Sequence, residues 1–390
     1  MIAELTYQHL RRVVRVLTPP AGHRLRRLAQ LGLTVSGGQV SLTSGTPDLA
    51  GRVNTDGGLS DGHITVDLTG FTQALTAVAP TGRGAASAIV GLHTELGQLH
   101  LRAASTAVIA TTDTVHPTPA LERGDPLAAV PVRDWLAALG AVIVAAETKR
   151  PYPRFLRDVR LWRETGCCLV VEASDTCRAH RVVVGEPAPG SCEARLPAAS
   201  TRAVAGLLGL APEGATVHIG HCGELLVCDT GTITVAARTT GETSWPELER
   251  VFETVADADL TVTTDLTAMA DTARRAALAA GRTPVDLDID PATPALTITV
   301  PGPAGQPPRM HLPVPVHTAS GPAVHTTVFA EHLLHLCAAA GAGETTVRVN
   351  TTSNLLGITR GRFSGAVVHL RQQRASSTSD SAATPPIGEM

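Results

Sequence analysis

An internal repeat of about 130 residues restricts the fold of this chain more than any other feature. Each copy opens on an amphipathic helix, runs through alternating strands, places a second helix and closes on further strands. The opening helices are expected at Tyr7–Leu17, Val132–Glu147 and Asp265–Ala280. In the first, Leu10, Val13, Val14 and Leu17 recur at helical spacing while Arg11, Arg12 and Arg15 take another face. In the third, Asp265 is the N-cap, Ala273, Ala276, Ala277 and Ala280 make a small-residue stripe, and Arg274 and Arg275 lie beside it. The second helices are expected at Leu68–Val78, Ala198–Leu210 and Val328–Ala340. Two of them stop at an Ala-Pro step, with Pro80 and Pro212 lying 132 positions apart, and the third stops at Gly341. Segments 96–112, 215–239 and 345–370 follow, with β-branched alternation broken by Gly, Asp or Asn turns.

A period this long is too large for a solenoid repeat and implies three similar α+β domains. That suits 390 residues, too many for one comfortable core. Linkers are expected near 120–130 and 252–260, and the Ser/Thr/Pro-rich residues 374–390 as a disordered tail. Aromatic content is only 3%, so the cores must be built from Val, Leu, Ile and Ala. The N-terminus places arginines inside its apolar pattern and lacks the apolar core of a secretory signal, and no stretch nears the ~18–20 apolar residues of a membrane span. The cysteines number seven, and Cys167, Cys168, Cys222, Cys228 and Cys337 sit in apolar runs, as buried reduced thiols of a cytoplasmic protein would.

Net charge is −3, yet residues 1–30 carry six arginines (Arg11, Arg12, Arg15, Arg24, Arg26, Arg27) against Glu4 alone. Such a strip fits phosphate contact, and equally a solvated helix face. Enzyme signatures are missing. Gly82-Arg83-Gly84 lacks the Lys of a Walker loop, and no Gly-x-Ser-x-Gly elbow occurs. His218, His221 and Cys222 would be the ligands of a remaining alternative, a metal-dependent enzyme. They sit on an alternating strand that turns His221 away from the other two, and the spacing does not match usual zinc sites. Asp286, Asp288 and Asp290 alternate as an exposed strand face would. His332 and His335 share a helix face without a matched carboxylate and read as surface histidines. No catalytic residue, metal or cofactor is assigned.

Local motifs accompany the repeat. The strand Cys168–Glu172 runs into Ala173-Ser174-Asp175-Thr176-Cys177-Arg178-Ala179. Upstream stands Pro153-Arg154-Phe155-Leu156, and downstream Leu196-Pro197 through Leu207-Leu208, Trp245-Pro246-Glu247-Leu248-Glu249-Arg250-Val251 and the closing Gly365–Leu370. With the repeat, these resemble the bacterial DNA polymerase III β subunit, the sliding-clamp family, over nearly the whole chain to about residue 373. Against the family's Ala-Thr-Asp-Gly-His-Arg-Leu, Asp175 and Arg178 match, while the Gly, His and Leu positions hold Thr176, Cys177 and Ala179. A register with a short insertion sets His180-Arg181-Val182 against His-Arg-Leu instead, and both registers stand at this point.

The resemblance implies an α+β fold of three tandem clamp-type domains, each with two helices on antiparallel sheets, at 1–125, 126–254 and 255–373, forming a half ring with pseudo-symmetry. It implies a non-catalytic processivity factor that encircles duplex DNA without reading sequence. The phosphate-facing inner wall would carry Arg11, Arg12, Arg15, Lys149, Arg150, Arg202, Arg274 and Arg275. A cleft for short linear motifs of DNA polymerase III and the clamp loader would use Leu156, Arg157, Ser174, Thr176, Cys177, Arg178, Ala179, Pro246, Arg250, Val251, Val367 and His369. A head-to-tail homodimer would pack Ala276, Ala277 and Leu278 against Ala107, Val108 and Ile109.

Departures from the pattern qualify these expectations. Ala179 replaces a leucine, and His369-Leu370-Arg371 replaces Met-Pro-Met, which implies altered partner preference or weaker binding of the usual motif. Alanines at the dimer contact imply a looser ring. A divergent paralogue that keeps the fold but acts as an accessory module without encircling DNA is the competing reading.

Overall fold

The fold is that of a computed structural model describing residues 1–18, 30–46, 48–82, 84–110, 121–146, 154–241, 244–303 and 306–369. Lys149, Arg150, Arg24, Arg26, Arg27 and the tail 374–390 lie outside the described residues. The chain lays down one series of elements three times. The first unit holds β1 (Ile2–Thr6), α1 (Tyr7–Leu17), β2 (Gln30–Ser36), β3 (Gln39–Thr46), β4 (Leu49–Asp56), a short β5 (Gly58–Ser60), β6 (Gly62–Asp67), α2 (Leu68–Ala77), β7 (Ile89–Glu95), β8 (Gln98–Arg102) and β9 (Thr106–Ala110). The second holds β10 (Asp125–Pro131), α3 (Val132–Ile143), β11 (Asp158–Arg163), β12 (Leu169–Ser174), β13 (Arg178–Val184), β14 (Cys192–Pro197), α4 (Ala198–Leu208), β15 (Thr216–Cys222), β16 (Leu225–Asp229) and β17 (Ile233–Arg238). After α5 (Leu248–Ala256), the third holds β18 (Leu260–Asp265), α6 (Leu266–Ala280), β19 (Val285–Asp290), β20 (Ala295–Val300), β21 (Met310–Val314), β22 (Val316–Ser320), β23 (Val324–Val328), α7 (Ala330–Ala340), β24 (Glu344–Asn350), β25 (Leu355–Arg360) and β26 (Phe363–Val368).

Every helix but α5 follows on a strand with at most one residue between, and in three cases the junction residue caps it. Thr6 accepts from His9 N, Asp67 from Gly70 N, and Asp265 from Thr267 and Ala268 N. Leu10, Val13, Val14 and Leu17 are the buried stripe of α1, as their spacing requires. All strand pairings are antiparallel, and each unit splits into two half-sheets. One joins the opening strand to the three closing ones, and the other takes the strands between the helices. The units fuse through these halves. The sheet β10-β15-β16-β17-β4-β3-β2-β6 joins units two and one at β17–β4, and β14-β11-β12-β13-β26-β25-β24-β18-β22 joins units two and three at β13–β26. The remaining half-sheets, β5-β1-β7-β8-β9 and β21-β20-β19-β23, have no counterpart in the chain. Their edges β9 and β21 occupy the places that β17 and β4 fill at the first joint.

The helices form a second, continuous layer in which α2 packs on α1, α1 on α4, α4 on α3, α3 on α7 and α7 on α6. Gly51 on β4 makes room for this. A Cβ there would stand 2.7 Å from Leu207 Cδ1 and 3.0 Å from Leu17 Cδ2, at the contact of α1 and α4. Units one and two share one apolar core around Trp135, Phe71 and a set of leucines and valines, while unit three has its own around Met269, Leu333 and Leu336.

Three expectations need correction. The α3 helix ends at Ile143 rather than Glu147, where the β-branched Ile143 and Val144 disfavour continuation. The segment 252–260 is not simply linker, because Leu248 and Val255 lie seven residues apart on the buried face of α5, which packs against β24, β25 and β26. Cysteine burial holds only for Cys228 and Cys337. Cys167 is exposed in a turn closed by its N–H to Glu164 O, and Cys168 and Cys222 are half-buried. An apolar run does not say which side of the strand or turn a thiol takes.

The β7–β8 hairpin turns through Leu96 (φ 48°) and Gly97 (φ 72°), a pair in the left-handed region that suits Asn-Gly. Leu96 is 95% exposed, so nothing repays its strain. Replacing it, Leu96→Asn, is expected to stabilise the chain by about 1 kcal/mol, read as a higher urea midpoint at unchanged slope.

Candidate functional site

The helix layer gathers the arginines. Its six helices carry Arg11, Arg12, Arg15, Arg133, Arg202, Arg274 and Arg275 against Asp134, Asp271 and Glu331, a surplus of +4 in a chain of net charge −3. Arg11, Arg12 and Arg15 line one groove between α1 and α2 with Thr72, Leu75 and Thr76. Not all of them are equally available. Arg12 Nη2 donates to Gly209 O at the C-terminal end of α4, 2.8 Å, tying units one and two together where the helix dipole is negative. Arg274 pairs with Asp271 and Arg275 bonds Thr272 Oγ1. Arg11, Arg15 and Arg202 are exposed and have no ion-pair partner among the described residues.

The cleft positions assemble at the joint of units two and three. Pairing of β13 with β26 sets Arg178 opposite Val367 and Ala179 opposite Ala366, and Val368 N–H donates to Cys177 O. Helix α5, which carries Val251, packs on β24, β25 and β26, and Leu156 sits in a turn packed on β11 and β12. Leu156, Ser174, Ala179, Val367 and His369 are buried; Arg157, Thr176 and Arg250 are exposed; Cys177, Arg178, Pro246 and Val251 lie between. His369 is held inward by a 2.6 Å hydrogen bond between its Nδ1 and Thr326 Oγ1. Pro246 and Arg250 instead border a polar groove with Arg160, Trp162, Glu172 and Arg181.

The turn between β12 and β13 is built on Asp175. Asp175 Oδ1 accepts from the N–H groups of Cys177 and Arg178, both 3.0 Å, and Oδ2 from Arg178 Nε, 2.8 Å. Between them Thr176 has φ 73°, the left-handed conformation that glycine takes without strain. The backbone at Thr176 thus takes the conformation that suits the family's glycine, and Asp175 holds Arg178 beside it.

Arg178 also reaches His335 Nδ1 at 2.6 Å. His335 and His332 thus lie at the inter-unit joint, half-buried, rather than on open surface as their spacing suggested. Burial and then the Arg178 charge lower the pKa of both, with Asp175 and Glu331 opposing. His180, bonded through Nδ1 to Ala141 O, is buried between α3 and Phe363, and burial pushes its pKa down to about 4.

Sequence reasoning missed the guanidinium–aromatic layer beside the groove. Arg160 lies over Trp162 and Trp245, Arg181 over Trp162 and Phe252, and Arg195 over Trp245. Fully buried Glu172 receives both Arg160 and Arg181. The alternation Arg160, Trp162 was visible, but its partners come from three other elements. His218, His221 and Cys222 do not gather into a metal-ligand group among the described residues, nor do Asp286, Asp288 and Asp290.

Of the dimer positions, Val108 is 51% and Leu278 82% exposed, Ala107, Ile109 and Ala277 are half-buried, and Ala276 is buried in its own core. The edge strand β21, which the sequence did not single out, is the unpaired counterpart of β9.

A three-unit α+β chain whose half-sheets fuse edge to edge under one helix layer has the fold of DNA polymerase III β subunits. Solved structures bear this out. The DNA polymerase III β subunit of Pseudomonas aeruginosa superposes with TM-score 0.78 at 16% identity, over 95% of this chain and 100% of that one. The β subunit of Streptococcus pyogenes gives 0.79 at 14% with the same coverage, and that of Thermotoga maritima 0.77 at 15%, over 95% and 99%. No family model matches the sequence, and no curated protein does. The likeness thus establishes the DNA polymerase III β-subunit fold for this chain.

Two outcomes follow from the joint. Thr176→Gly is expected to stabilise by about 1 kcal/mol, the strain of a β-branched residue at positive φ less glycine's larger unfolded-state entropy, measured by urea denaturation. His180, His332 and His335 all bind protons less readily folded than unfolded. Stability is therefore complete above the ordinary histidine pKa of about 6.5 and declines as pH falls towards about 4. A urea midpoint that stays flat from about pH 7 to pH 5 would contradict this.

Proposed function

We propose that the chain is a non-catalytic DNA sliding clamp. In this reading its units correspond to domains 1–125, 126–254 and 255–373. Two copies close head to tail in the cytoplasm, the ring encircles duplex DNA, and a joint between the second and third units takes short motifs of DNA polymerase III and its clamp loader. The observation that carries the reading is the pair of leftover edges. Both internal joints are β-pairings of one kind, and β9 and β21 are the two half-sheet edges left to make a third. Closing it with a second copy would extend the helix layer into a ring and turn its surplus of positive charge towards phosphates, which supports sliding because such contacts carry no sequence information. An exposed row of unpaired N–H and C=O groups is otherwise an aggregation hazard.

One observation favours the accessory reading instead. The apolar cleft positions Ala179 and Val367 are buried, as is the polar His369, so the cleft offers little depth to a partner's apolar anchor. Loading onto nicked circular DNA by the cognate clamp loader separates the two. A working clamp is retained on the circle and released when the circle is linearised; an accessory module is not retained. The double variant Arg11→Ala, Arg15→Ala is expected to flatten the logarithmic salt dependence of DNA binding by about 2, near 0.9 per lost phosphate contact.

A further inference from the structure

We infer that the outer face of the β7–β8 hairpin is a binding site for a divalent transition-metal cation, held by His93, Glu95 and His100. The inference does not rest on the clamp reading, although Val108 beside the site is also one of its expected dimer contacts.

Strand register builds the site. His93 and Glu95 are two apart on β7 and so share a face, and the β7–β8 pairing places His100 directly across from His93 on that face. Leu92, Leu99 and Leu101 alternate onto the other face and are fully buried, which fixes the three polar side chains outward. The imidazoles stack with centroids 4.6 Å apart at 22°, and His93 Nε2 lies 3.8 Å from Glu95 Oε2. The nearest ligand atoms of all three lie within 4.8 Å of one another. A tetrahedral ion with bonds of ~2.0–2.2 Å needs ligand atoms about 3.4 Å apart. Small side-chain rotations close that gap with no change of backbone.

The donor set selects the class of ion. Two neutral imidazoles and one carboxylate suit zinc, copper, nickel or iron(II) and not magnesium or calcium, which require oxygen ligands. Three protein ligands leave a fourth position to water. The row continues on either side with exposed Ile2, opposite His93, and Val108, opposite His100. These aliphatic flanks lower the local polarity and strengthen a charged centre between them. A bound ion would also clip a hairpin whose turn carries the strained Leu96.

Zinc chloride titrated into the full chain against a chromophoric chelator tests the inference. One equivalent is expected to bind. His93→Ala, Glu95→Gln and His100→Ala are each expected to weaken it by more than tenfold, since losing even an outer-shell partner costs about 10–100-fold. All three positions are partly exposed, so these variants should fold. His218→Ala, at the other histidine cluster, is expected to leave affinity unchanged. Amide exchange in residues 89–102 is expected to slow on adding zinc and to be unaffected in His100→Ala. No binding, equal binding by the His93→Ala, His100→Ala double variant, or protection confined to other segments would each overturn the assignment.

Discussion

Every sheet in this protein ends in a strand whose outer N–H and C=O groups need partners, and the architecture follows from how that need is met. At β17–β4 and β13–β26 the edge of one unit is paired by the edge of the next, so two sheets cross unit boundaries without interruption. This couples the units more rigidly than a linker would. It also fixes their relative rotation, because consecutive strands of one sheet turn through a limited twist. The helix layer inherits its continuity from the same constraint, and close approaches such as that at Gly51 are what the fused sheets demand of the helices above them.

With the units locked in this way, charge becomes a matter of placement rather than composition. A chain of −3 carries a helix layer of +4 because its six helices hold seven arginines and only three acids. Some of that charge serves the fold, since Arg12 caps α4 across a joint; on strand β13, Arg178 pairs with Asp175 in its own turn and reaches His335 across another joint. The rest faces solvent. The joint of units two and three thus has two sides with distinct chemistry. One holds Arg178 among histidines. The other, around Arg160, Arg181 and Trp245, is an ion-pair and cation–π layer closed over buried Glu172.

Helix positions were legible because each unit repeats the same local signals. Apolar residues at 3.6 spacing in the first, and an Asp265 N-cap with a small-residue stripe in the third, gave α1 and α6 almost to the residue. The helix α5 was hidden because its charged residues Glu249, Arg250 and Glu253 dilute a two-residue apolar stripe, and its burial depends on Gly357, where a Cβ would stand 2.4 Å from Val255. The cleft residues were legible as motifs, but their depth was not. Whether Val367 and His369 face a cavity or a core depends on the pairing of strands almost two hundred residues apart. The histidines of α7 were misread for the same reason, since Arg178 is 157 residues away.

Sequence alone determined the number of units and the alternation of helices and strands, because these depend on local periodicity and capping. It left open the conformation of the Asp175–Arg178 turn, which places Thr176 at φ 73°. Tertiary structure alone decided which edges pair and which remain free, and which polar residues meet across strands, as His93 and His100 do. The physical reason is that strand pairing is made by backbone groups common to every residue. The sequence encodes it only through which faces can be buried together.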